Sequence, residues 1–472
     1  MIVADTIWQT NLRASGRSKY RAIAQTIRNG IVSGDLREGE KLPPVRDLAY
    51  RIGVTPGTVA RAYALLTDEG RLVAGVGRGT YVAGRAGAPV ETLPPLIHDP
   101  KTVTRDQLHL MSPKMPEVGQ GRLMRDAMSH LSQTMPWDHL LQYPNRDSDA
   151  AARELFRSSV VDTAVGAVEP EDVVVTNGGQ NAVVMILQTV LHGSAPVIAV
   201  DELSYGGFRS AARLCRAAVA GVPWDADGPR PDVFEELVRT QGVQIYCTSS
   251  EVCNPIVRGV TPARRREIAR IADRFGVHIM DDECYRLMRT DRQGPGYRSY
   301  LPELTWHVTS PSKSLSAALR IGFVIAPVGW GGALARTSSF NFFGVSRLIT
   351  DLYAHVMART ELPGILDRVR DRIGNDIRAA VNALGRSKIN WSEDVPFLWL
   401  ELPAGWRAGE FCKALEAENI LVKSAEDFSL RDGRAVHAVR IAVNGQVPHE
   451  AFVAGMKTVR RLLDTPPDRV FA

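Results

Sequence analysis

Apolar residues at the start of the chain recur at steps of three and four. Tyr20, Ile23, Ala24, Ile27 and Ile31 fall on one face of an amphipathic helix that ends near "SGD", Ser33 to Asp35. "LPPVRDLA" predicts a second short helix from about Val45 to Ile52, introduced by Pro43 and Pro44. In "GVTPGTVARAYALLTDEG", Gly53 reads as a turn, Thr55 as an N-cap and Pro56 as the first residue of a helix that closes before Gly70. Two short helices joined by a tight turn form a helix-turn-helix. Two β-prone runs follow, Leu72–Ala74 and Thr80–Val82, and the glycine- and arginine-bearing turn between them makes a β-wing.

The periodicity then disappears. "AGRAGAPVETLPPLIHDPKTVTR" is rich in proline, glycine and alanine, and reads as an extended linker. Beyond it, apolar runs alternate with helical patterns: "DVVVTNGG", "APVIAV", "VQIYCTSS", "VHIMDDE", "LTWHVT" and "RIGFVIAP". Such alternation predicts βαβ units, hence an α/β fold with a mostly parallel, doubly wound sheet. The expected organisation is a winged helix-turn-helix over 1–84, a linker over 85–105 and a large α/β domain over 106–472.

Charge sharpens this division. Between Met1 and Gly84 lie twelve basic and seven acidic residues, an excess equal to the formal +5 of the whole 472-residue chain. The basic surplus therefore sits in the first segment, where a polyanion would use it. The five cysteines (Cys215, Cys247, Cys253, Cys284, Cys412) form no C-x-x-C pair and include an odd one, which argues against both a zinc site and a disulfide framework. The opening "MIVADTIWQT" lacks the pattern of a secretion signal, and no apolar run is long enough to span a bilayer. A soluble, cytoplasmic protein without metal or membrane partners is the expectation.

Candidate chemistry gathers at the strand ends, where doubly wound sheets bind ligands. "VVVTNGGQNAVVMIL" passes from strand to helix through Gly178 and Gly179, freeing the N–H groups of Gly179, Gln180 and Asn181 to hold an anion. "VHIMDDECY" ends a strand with acids, which when buried need a partner such as a cationic ring nitrogen. "SPSKSLSAALR" sets Lys313 among Ser310, Ser312 and Arg320, an amine suited to a Schiff base beside groups suited to a phosphate.

The segment from Tyr20 to Val82 resembles the winged helix-turn-helix of the GntR family of bacterial regulators, on the strength of "LPPVRDLA", "TPGTVARAYALL" and "GRGTYV". By matching position, the resemblance implies DNA contacts from Arg46, Thr55, Thr58, Arg61 and Arg78. Arginine bridges guanine acceptors or binds phosphate, and threonine and backbone N–H groups hold phosphates. From about Gln107 to Leu463 the chain resembles fold-type I aminotransferases, which use pyridoxal 5′-phosphate (PLP). That resemblance implies an internal aldimine at Lys313, with Asp282 pairing the pyridine nitrogen. Tyr285 and Asn254 would bond the ring hydroxyl, Tyr205 would stack on the ring, and Gly179, Gln180, Ser310, Ser312 and Arg320 would cradle the phosphate. Arg440, in "HAVRIAVNG", would clamp the carboxylate of an amino compound.

Together the two parts resemble a MocR-type regulator. The implied function is a PLP-dependent transcriptional regulator that binds a double-stranded DNA operator as a homodimer and senses a small amino-acid-like effector through an external aldimine at Lys313. An active aminotransferase with an appended DNA-binding domain is the alternative. Three features depart from the pattern. "NPIVRG" reads as though two residues were inserted before Gly259 where relatives continue Asn-Pro-Thr-Gly. Asp281 competes with Asp282 as ring partner. Tyr143, in "YPNRDSD", is a candidate for reaching a neighbouring subunit's phosphate site.

Overall fold

A computed structural model describes residues 19–75, 79–83, 107–145, 147–160, 165–285, 294–430 and 436–465. Arg78 and the linker at 85–105 lie outside them. The chain divides into two compact units, within Met1–His98 and Asp99–Ala472.

In the first unit, the helix Lys19–Ser33 buries Ile23, Ala24 and Ile27 against helices Val45–Ile52 and Pro56–Asp68. Gly53, at φ 66°, ends the second helix in the left-handed conformation that glycine adopts without steric cost. The Tyr63 hydroxyl donates to Pro43 O at 2.9 Å, fixing the third helix to the start of the second. Thr55 holds the N-cap position, but its hydroxyl pairs with Thr58 Oγ1 at 2.9 Å instead of capping the helix backbone. Strands β1 (Leu72–Gly75) and β2 (Gly79–Val82) pair antiparallel from Leu72–Val82 to Gly75–Gly79, forming the wing.

The second unit contains β3 (Leu108–His109), then a seven-stranded sheet built from β4 (Val173–Thr176), β5 (Val197–Asp201), β6 (Ala218–Val222), β7 (Val243–Thr248), β8 (His278–Asp282), β9 (Thr305–Thr309) and β10 (Gly322–Ile325). Its order is β4-β10-β9-β8-β7-β5-β6, and only β10 runs antiparallel to its neighbours. Helices cover both faces, so β4, β8, β9 and β10 are buried along their whole length, as parallel-sheet strands must be. The long helix Leu362–Leu384 leads to a second sheet of β11 (Ile389–Asn390), β12 (Phe397–Glu401), β14 (Lys423–Ser424) and β15 (Ala438–Ala442), in order β11-β12-β15-β14. A short β13 (Ile420–Leu421) pairs parallel with β3, so the start of this unit is stitched to its C-terminal part. Among the described residues no helix is long and apolar enough to cross a membrane, and no cluster of His, Cys, Asp and Glu has the makings of a metal site.

One close approach sets the geometry at the sheet's carboxyl edge. Gly322 of β10 pairs with Thr176 of β4, and a Cβ there would stand 2.8 Å from both the Gly178 carbonyl carbon and Thr176 Oγ1. Only glycine lets β10 press against the turn that begins the next helix. Gly322→Ala should lower stability by about 1–3 kcal/mol, read as a reduced urea midpoint with an unchanged slope.

Candidate functional site

Strands β4, β5, β7, β8 and β9 deliver the candidate residues to one edge of the large sheet. Past β4, Gly178 at φ 88° turns the chain into the helix Gly179–Val190. The first-turn N–H groups of Gly179, Gln180 and Asn181 have no partner within that helix, so they are available to an anion. Arg320, itself at φ 48°, lies across this turn: its Nη2 donates to Asn177 O at 3.2 Å, and a Cβ on Gly178 would meet that nitrogen at 2.7 Å. The Gln180 side chain turns aside to donate to Gly207 O at 3.2 Å, leaving its buried Oε1 without a hydrogen-bond partner.

After β9 the chain enters a short 3-10 turn, Pro311–Lys313, capped by Ser310, whose Oγ accepts the Ser312 N–H at 3.2 Å. The two hydroxyls lie 2.6 Å apart. The turn leaves Lys313 half-buried, and burial lowers its pKa. Arg440 and Arg320 lower it further, while Cys284 and Asp282 oppose them. A lysine so placed is a better nucleophile at neutral pH than one in water.

Strand alternation separates the two acids of β8. Asp281 points away from Lys313 and accepts from Ser250 N and Oγ, both at 2.8 Å. Asp282 faces Lys313 and accepts from Cys284 Sγ at 2.8 Å. Burial pushes the Asp282 pKa up to about 6, moderated by the Cys284 contacts and by Lys313 and raised further by Glu283. Cys284 is a contributor that sequence reading passed over, although its spacing of two from Asp282 was a signal. Tyr205 and Tyr285 line the same space, and burial raises both phenols. The Tyr285 ring also meets Phe397 edge-on at 5.1 Å.

Arg440 arrives from β15 and is only 4% exposed. Its Nη1 donates to Asn254 Oδ1 at 2.7 Å and its Nη2 to Met111 O at 2.5 Å, while Nε has no hydrogen-bond partner. Its guanidinium lies over Phe428 at 4.8 Å and Phe397 at 5.2 Å. Phe397 and Phe428 had no local sequence signal. Asn254 is therefore joined to Arg440 in this structure, rather than standing alone.

In the loop after Asn254, Val257 adopts φ 58°, an uncommon conformation for a β-branched residue. The turn closes through Val257 N to Cys253 O and Cys253 N to Arg258 O, at 2.9 and 2.8 Å.

In the first unit Arg46, Thr55 and Arg61 are exposed and Thr58 is half-buried. The Arg61 guanidinium lies over the Tyr20 ring at 4.5 Å. Tyr143, 79% exposed, stands in the second unit beside Phe343, with ring centroids 5.3 Å apart.

Residues 119–450 match the aminotransferase class I and II family. The chain belongs to it. Residues 19–82 match the bacterial regulatory proteins of the gntR family, so this member carries a GntR helix-turn-helix, which implies DNA binding. An uncharacterized HTH-type transcriptional regulator, YdeF of Bacillus subtilis, is 24% identical over 97% of each chain. The probable rhizopine catabolism regulatory protein MocR of Rhizobium meliloti is 26% identical over 65% of each. Among solved structures, an archaeal alanine:glyoxylate aminotransferase superposes with a TM-score of 0.69 at 20% identity, covering 77% of this chain and 92% of its own. The aminotransferase class I and II fold implies PLP, and the residues suit it. An open helix N-terminus beside Arg320 fits a phosphate, and a buried carboxylate with a raised pKa fits a cationic ring nitrogen.

The pKa of Asp282 gives a test. A carboxyl whose folded pKa exceeds its unfolded value, roughly 4, contributes its full stability below that value and loses it as pH rises through about 6. In cofactor-free protein, Asp282→Asn should thus raise the melting temperature by a few degrees at pH 8, with the gain shrinking as pH falls below 6. The same variant should bind PLP more weakly, measured by fluorescence titration.

Proposed function

We propose that this protein is a PLP-dependent transcriptional regulator in which an amino compound takes the place of Lys313 on the cofactor and thereby alters operator binding. When bound, the cofactor supplies an aldehyde carbon to which an amine attaches. Gly179, Gln180, Ser310, Ser312 and Arg320 would hold its phosphate, Asp282 its ring nitrogen, Tyr205 its ring face, and Tyr285 and Asn254 its hydroxyl. Lys313 would anchor it and then yield to the incoming amine, while Arg440 grips the carboxylate of the effector. In the first unit, Arg46, Thr55, Thr58 and Arg61 would contact DNA, and Arg78 is assigned the same role. The observation that carries this reading is the gathering at one sheet edge of Lys313, Asp282, the helix start at Gly179 crossed by Arg320, and the buried Arg440, in a chain with a GntR helix-turn-helix.

The complete set of residues around Lys313 also favours a second reading, an active aminotransferase with an appended DNA-binding domain. One experiment separates the two. Full-length protein with PLP should show a visible band that borohydride fixes and that Lys313→Ala abolishes. Adding an effective amine should change both the band and the affinity for operator DNA, each at physiological salt. Rapid turnover of amine and keto acid with unaltered DNA affinity would favour the enzyme, and a colourless protein would overturn both.

A homodimer is part of the proposal. Trp137, Leu141, Tyr143, Phe340 and Phe343 of the second unit are each at least 68% exposed. So many large apolar side chains are costly to leave in water, and a second copy would cover them. Sedimentation should give a dimer at micromolar concentration, and Trp137→Asp with Phe340→Asp should give monomers with unchanged helical content.

A further inference from the structure

On the second sheet, three side chains form a row across adjacent strands. Trp399 of β12 stands opposite Arg440 of β15, and Arg440 stands opposite Lys423 of β14. Directly opposed residues of antiparallel strands project to the same face. Phe428 covers that row: its ring meets Trp399 edge-on at 6.3 Å, lies 4.8 Å from the Arg440 guanidinium and 5.9 Å from the Lys423 amine. The ring is firmly held. Ser204 N donates to Phe428 O at 3.1 Å, and Arg209 donates to Ser429 O at 2.6 Å and Asp427 O at 2.5 Å.

Two cations therefore share one aromatic ring, and among the described residues neither forms a salt bridge. Among the described residues Lys423 has no hydrogen bond and no carboxylate within ion-pair distance. The nearest acid, Asp427, has Oδ2 engaged by the Ser424 N–H at 3.0 Å. Burial lowers the Lys423 pKa, Asp427 partly offsets this, and Arg440 and Arg209 depress it further. Arg440 alone suffices for one carboxylate. A half-buried second cation beside it, on the same face and over the same ring, has no structural debt to discharge.

We propose that Lys423 is a specificity-determining residue and that the effector is an amino acid with two acidic groups, one met by Arg440 and the other by Lys423. This rests on the effector reading above and adds the chemical class. The second acid is a carboxylate, sulfonate or phosphonate on the side chain, since each offers oxygens to an ammonium.

The test uses full-length protein with PLP and two ligands of equal chain length, L-glutamate and L-norvaline, measured by calorimetry and by absorbance in the same samples. Wild type should bind glutamate at least about tenfold more tightly than norvaline. Lys423→Met should reduce that preference to less than about threefold without weakening norvaline, and Lys423→Arg should restore it. Equal binding of the two ligands by wild type overturns the proposal, as does an undiminished preference in Lys423→Met. A glutamate preference without any visible band would uphold the role of Lys423 while overturning the cofactor reading. A normal band without preference would do the reverse.

Discussion

The candidate site depends on drawing a lysine amine partly out of water among other charged groups. Removing an ammonium from solvent is costly unless opposite charge and hydrogen bonds replace the lost hydration. Here Asp282 supplies the opposite charge, while Arg320 and Arg440 add like charge. The amine is consequently driven towards its neutral form and Asp282 towards its protonated one. A cofactor bearing a phosphate and a cationic ring would satisfy both guanidinium and carboxylate at once.

The fold makes that arrangement possible by gathering strand ends. The parallel strands deposit Tyr205, Asn254, Asp282 and Ser310 along one edge, and the single antiparallel strand β10 brings Arg320 back towards the Gly178 turn. Arg440 comes from a separate sheet, and its hydrogen bonds to Asn254 and to Met111 O tie that sheet to the strand edge and to the segment after β3. The same contacts that fix the site therefore join distant parts of the second unit. An effector that rearranged Arg440 would disturb that junction. Such coupling is what a regulator requires, because a ligand shifts a conformational equilibrium only through differential contacts with its states.

What the sequence alone determined is what is encoded locally. Helix caps, the Gly53 turn, the wing and the strand-to-helix passage at Gly178–Gly179 were legible because backbone preferences act over a few residues. Six strands of the large sheet were legible because they are apolar runs, whereas β6, Ala218–Val222, was missed because it is only partly buried and carries no such run. Lys313 and its flanking serines could be read as a group because the turn that holds them is local. Only tertiary structure gave the two acids of β8 different partners, Ser250 for Asp281 and Cys284 for Asp282, since both are buried and alternation along the strand sends them to opposite faces. It alone placed Val257 in a left-handed turn where the sequence read as an insertion. It also brought Phe397, Phe428 and Lys423 to Arg440, because cross-strand neighbours are set by register and not by distance along the chain.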